Sequence, residues 1–91
     1  VEIRWTKHAE GRQKEWAKKR GITRKEVETL LIHPEQIVPG DQDALVAQVK
    51  RKGGLLRVPF VETEGKRKIL TVYWTSRVKK YWKEEENADS I

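Results

Sequence analysis

Hydrophobic and polar positions along the chain fall into two periods. Glu2 to Trp5 alternates, with Ile3 and Trp5 on one face, and reads as a short strand. Thr6 is placed to cap a helix whose first turn holds Lys7, His8, Ala9 and Glu10. That helix runs to Lys19 or Arg20 and stops at Gly21. Its apolar residues are only Ala9, Trp16 and Ala17, on a stripe with Gln13 and Arg20. Burial alone does not hold such a helix, so it lies on something or carries function on its polar face. The second helix is better specified. Thr23 and Glu26 make a capping box, Ile22 can staple to Val27, and Val27, Leu30 and Leu31 form the buried stripe. Pro34 ends it near His33, because a residue before proline disfavours helical geometry.

From there the period becomes two. Asp43 to Lys50 reads as one strand, Gly53-Gly54 as a turn, and Leu55 to Val61 as the next strand. Glu64-Gly65 makes another turn, leading into a strand from Arg67 to Thr75. Pro59 would cost a central strand a ladder bond, so a bulge is expected there. Residues 76 to 83 read as a short basic helix or turn carrying Tyr81 and Trp82. The expected fold class is therefore α+β: a short N-terminal strand, two helices on one face of an antiparallel three-stranded meander, and a short C-terminal basic helix or tail.

Composition narrows the partner. The chain has 91 residues, a length suited to one domain, and carries twenty Lys and Arg against fourteen Asp and Glu, a net charge of +6. Residues 84 to 91 hold four of the acids and no base, which leaves +10 on residues 1 to 83. A single domain over 1–83 with an acidic, disordered tail over 84–91 is the expectation. So basic a domain suggests a polyanionic partner, nucleic acid or an acidic protein; a solubilising surface of mixed charge is the plainer alternative. No apolar run reaches eighteen residues, which argues against a membrane helix, and the opening residues lack a signal-peptide core. A cytoplasmic location is expected on those grounds. Without Cys there is no disulfide framework, thiol nucleophile or thiolate zinc site. The absence of Met and Cys beside abundant Lys, Arg and Glu also suggests heat adaptation.

The candidate chemistry is confined to a few residues. No glycine-rich phosphate loop, paired-His metal motif or serine-triad signature occurs, so neither a metal nor a cofactor is expected. His33, at a helix end, most simply serves the last carbonyls. His8 lies in the first turn of the weakly apolar helix, and Arg12 follows one turn later. That spacing puts a proton-transfer group beside a phosphate binder, unless both are ordinary surface residues. Arg57 alternates with Leu56, Val58 and Phe60 and so points to the opposite face. Thr71, Tyr73 and Thr75 share one face of the last strand. Lys66, Arg67 and Lys68 at a turn, with Arg77, Lys79, Lys80 and Lys83 near the end, supply a basic rim. Trp74, Tyr81 and Trp82 stand among those charges, where they could stack on bases or be buried.

The run His8-Ala9 with Arg12 a turn later, Arg20-Gly21-Ile22-Thr23 opening a helix, Leu56-Arg57-Val58, and Leu70-Thr71-Val72-Tyr73 together resemble the domain of unknown function 4258 family. The resemblance covers about residues 2 to 75. In this chain Lys14 to Lys19 lengthens the first helix by about one turn, which keeps His8 and Arg12 on one face but moves Arg20. Members of the family are regarded as relatives of RelE and barnase type ribonuclease toxins. The resemblance implies a RelE-like sheet with helices on one face and a toxin-like, metal-independent endoribonuclease of a toxin–antitoxin system. In that reading His8 acts as base or acid, Arg12 and Arg57 bind the phosphate and its transition state, and Thr71 and Tyr73 are hydroxyl partners. Arg20, Lys66, Arg67, Lys68, Arg77, Lys79, Lys80 and Tyr81 would bind RNA, ribosome-associated mRNA among the candidates, and an acidic antitoxin would be the protein partner. The alternative is a non-catalytic RNA- or protein-binding module that uses the same basic face.

Overall fold

Thr6 makes the corner between the first strand, β1 (Glu2–Trp5), and the first helix, α1 (Lys7–Arg20). Its hydroxyl accepts the Ala9 N–H at 3.0 Å and donates to the Ile69 carbonyl at 2.8 Å, so one side chain caps the helix and ties it to the sheet. The structure, a computed structural model, describes residues 1–84. The expectation of a disordered tail falls, beyond Glu84, outside the described residues.

The remaining elements are α2 (Arg24–Ile32), β2 (Gln36–Pro39), β3 (Leu45–Arg51), β4 (Gly54–Thr63), β5 (Lys66–Ile69), β6 (Tyr73–Thr75) and α3 (Val78–Tyr81). Both long helices end where the spacing predicts. Gly21, at φ 68°, closes α1, and His33 caps α2 with its N–H on the Thr29 carbonyl at 2.8 Å. Only half of the expected capping box forms. Thr23 accepts the Glu26 N–H, but the Glu26 carboxylate turns away to Arg51 of β3. A partly buried guanidinium in reach is a stronger partner than a backbone amide.

The expected three-stranded meander is corrected to a mixed sheet of six strands, ordered β1-β5-β4-β3-β2, with β6 also paired to β4. β1 runs parallel to β5, with Ile3 opposite Arg67 and Trp5 opposite Ile69. β2 is an extra edge strand on β3. The last expected strand, Arg67 to Thr75, is two strands separated at Leu70–Val72. The bulge expected at Pro59 is not in its own strand, which keeps an unbroken register with β3. It lies across from it: Val58 and Pro59 fall between the pairs Arg57–Tyr73 and Phe60–Ile69, so two residues face the three of 70–72. The Pro59 carbonyl accepts the Leu70 N–H at 2.9 Å, so its missing N–H faces this interruption, where no ladder bond is lost. The first turn is also shifted by one residue. Lys52 and Gly53 form it, both at positive φ, and Gly54 already pairs with Arg51.

The two long helices cover one face of the sheet. Ala9, Ile22, Val27, Leu30 and Leu31 form a continuous core with Ala47, Leu56, Val58, Phe60 and Ile69. The residues of β4 between these, Leu55, Arg57, Pro59 and Val61, line the opposite face. No helix among the described residues is long and apolar enough to cross a membrane.

Candidate functional site

On the face away from the helices, four polar side chains stand in one row across four strands. Gln36 pairs with Gln48, Gln48 with Arg57, and Arg57 with Tyr73. Cross-strand partners share a face, so the register alone brings them together. Gln48 is fully buried, and its amide donates to Gln36 Oε1 at 2.8 Å and to the Tyr81 carbonyl at 3.1 Å. Its carbonyl oxygen accepts Arg57 Nε at 2.8 Å, and Arg57 Nη1 donates to the Tyr73 hydroxyl. The ring of Tyr81, from α3, stacks on the guanidinium at 3.9 Å. The chain after β6 thus folds back over this face, pinned by Gln36 to the backbone of Lys83 and by Lys50 over the Trp82 ring at 4.6 Å.

Arg57 is 6% exposed, and no carboxylate comes within ion-pair distance of it among the described residues. Buried charges are ordinarily paired, because desolvating a lone one is costly. Here every protein partner is neutral. Nη2 makes no hydrogen bond among the described residues, which leaves N–H groups of the fork for an anion. The guanidinium lines a cleft of about 630 Å³ whose walls include Asp41, Pro59, Thr71, Tyr73 and Tyr81. A second cleft of about 580 Å³ shares Pro39, Arg57 and Tyr81 with the first and adds Lys80, Lys83 and Glu84, the last outside ion-pair distance of Arg57. Burial pushes the Tyr73 phenol above its ordinary pKa, against the opposing charge and hydrogen bond of Arg57. The hydroxyl therefore keeps its proton at neutral pH.

The residues nominated from sequence separate into two groups. Arg57, Thr71, Tyr73 and Tyr81 meet at the cleft, with Lys80 at its second arm. His8, Arg12 and Arg20 lie on α1, on the helix side of the sheet. His8 is exposed and makes no hydrogen bond or ion pair with a cleft residue among the described residues. Arg12 pairs with Glu15 at 3.4 Å, and Arg20 stacks on the Trp74 ring at 3.5 Å. Arg67 is tied to the fold, donating to the Leu31 carbonyl at 2.7 Å and pairing with Glu62 at 3.4 Å. Lys66 is half-buried on β5, while Lys68, Arg77 and Lys79 are exposed and line neither cleft. Gln36, Gln48 and Asp41 were missed. Gln48 had a signal, as a polar residue on the same face of a strand as Val46 and Lys50.

Fold and cleft define a class: an α+β protein with two helices behind a mixed sheet and, on the sheet's other face, a cation that no carboxylate among the described residues pairs with. A family model described as Domain of unknown function (DUF4258) matches residues 5–74, and the chain belongs to that family. No curated protein and no solved structure matches the chain.

Proposed function

We propose that the protein binds RNA by seating a backbone phosphate on Arg57. The observation that carries this reading is a guanidinium at 6% exposure whose partners among the described residues are all neutral, opening on a cleft. A phosphate would supply the missing charge and accept the free N–H groups of the fork in a bidentate contact. The ring of Tyr81 and the ammonium groups of Lys80 and Lys83 flank the position where a strand would run. Binding of a short single-stranded RNA, followed by fluorescence anisotropy across a salt series, tests this. Arg57→Gln should weaken binding about tenfold or more and flatten the salt slope by about 0.7. Equal binding by the two proteins would overturn the reading.

Cleavage is a second reading, favoured by Tyr73. Its hydroxyl accepts from Arg57 and keeps its own proton, so it is poised to donate to the leaving 5′-oxygen, while Arg57 stabilises the charge on phosphorus and the Asp41 carboxylate in the cleft wall takes the proton of the attacking 2′-hydroxyl. That would be the chemistry of a toxin-like endoribonuclease related to the RelE and barnase type. The general acid or base nominated from sequence, His8, stands on the other layer, so Tyr73 takes the donor role in this reading. If it holds, RNA products end in 2′,3′-cyclic phosphate, and Tyr73→Phe slows their formation about a hundredfold. Intact RNA after long incubation with pure protein would leave binding alone.

A further inference from the structure

α1 contains a glycine that the fold does not need. Gly11 is helical and exposed, and a Cβ built on it would meet nothing within 4 Å. Glycine weakens a helix interior relative to alanine, and this helix already has a poor apolar face. The contrast with Gly54 is plain: there a Cβ would run into the Thr75 carbonyl and the Trp74 ring. Around Gly11 the helix surface carries lysines, with the acids Glu10 and Glu15 at the edges paired to Arg24 at 3.3 Å and Arg12 at 3.4 Å. At 3.6 residues per turn, Lys7, Gly11, Lys14 and Lys18 fall within about 60° of one another. All four are exposed, and the three lysines make no ion pair among the described residues. This stripe lies opposite the buried Ala9 and Gln13.

We propose that this outer stripe of α1 is a second nucleic-acid surface, one that packs the phosphate backbone of a double helix against Gly11 between flanking lysines. Lysines without aromatic or amide neighbours suit phosphates and carry no base readout. The missing side chain lets a rigid backbone ridge approach the helix closely. A membrane surface fits less well, because the exposed large apolar residues, Val1, Ile32 and Ile37, all lie off α1. The proposal rests on the reading that the protein meets nucleic acid, but it uses the layer opposite the Arg57 cleft.

The test uses the full chain with two probes, an RNA duplex and a DNA duplex of the same sequence, beside the single-stranded RNA. Gly11→Ala and Gly11→Leu should keep or raise helicity and Tm while weakening duplex binding, Leu by about tenfold, and should leave single-strand binding within twofold. Lys14→Ala should lower the duplex salt slope by about 0.9. Arg57→Gln should do the reverse of the glycine variants, losing the single strand and keeping the duplex. Whichever duplex binds more tightly names the source of the phosphates. Duplex binding unchanged in Gly11→Leu, or absent in the natural protein at low salt, overturns the proposal. So does loss of both probes in Arg57→Gln, or equal Gly11→Leu sensitivity on vesicles of anionic phospholipid.

Discussion

Gln48 orients Arg57. Its carbonyl oxygen accepts Arg57 Nε at 2.8 Å because its amide nitrogen is committed to Gln36 and the Tyr81 carbonyl. The amide fixes the guanidinium without neutralising it. Gln48→Glu would place a carboxylate where the neutral oxygen now stands, so the protein itself would supply the counter-charge. RNA affinity should then fall about tenfold or more, beyond any loss of stability from the two acceptors that the amide no longer serves. Gln48→Leu should instead lose about 1–3 kcal/mol in urea denaturation, since Arg57 Nε and the Tyr81 carbonyl would be left without a partner. Unchanged RNA affinity in Gln48→Glu would mean that the charge of Arg57 is not used.

Tyr73 sets an alkaline limit. Its pKa is raised by burial, so the folded protein holds the phenolic proton more tightly than the unfolded chain does. Such a group contributes stability that is complete below the unfolded value near 10 and is lost as pH climbs through the folded value. Between about pH 9 and 11 the natural protein should lose stability more steeply than Tyr73→Phe. Urea midpoints measured across that range check this; parallel curves would refute it.

Gly54 is required by its neighbours. It pairs with Arg51 at the first position of β4, directly under Trp74, whose indole N–H donates to the Arg51 carbonyl at 2.9 Å. Gly54→Ala should destabilise by about 1–3 kcal/mol, the range for overpacking, and should disturb Trp74 fluorescence. A neutral substitution would mean that β6 can move aside.

Thr6 joins helix to sheet through a single hydroxyl. Thr6→Ala removes the α1 cap and the bond to the Ile69 carbonyl together, and about 1–2 kcal/mol should be lost. Thr6→Ser keeps both bonds and should recover most of that loss in the same thermal melts.

The helices were legible because their signals are local: Thr6 and Gly21 bracket α1, and Thr23 and Pro34 bracket α2. Strand partners were not. Gln36–Pro39 is too short to show alternation, and nothing within four residues reveals that β1 lies parallel to a strand more than sixty positions on. The break at Leu70–Val72 is hidden in an unbroken run of good strand formers, and only the opposing Pro59 explains it. Arg57 could be placed on the polar face by period two. That no carboxylate among the described residues pairs with it depends on how the chain after β6 returns, which alternation does not encode.

The parallel pairing of β1 with β5 also sets an order of assembly. Glu2 pairs with Lys66, and Trp5 with Ile69, across more than sixty intervening residues, so this pairing is expected to follow the hairpins between them. Closing so long a loop is entropically slow, whereas α2 and the β3–β4 hairpin form from near neighbours. The N-terminal strand is therefore expected to arrive late and to lock a sheet already built. Ile3→Ala should speed unfolding and leave the refolding rate almost unchanged, the kinetic mark of contacts made after the transition state.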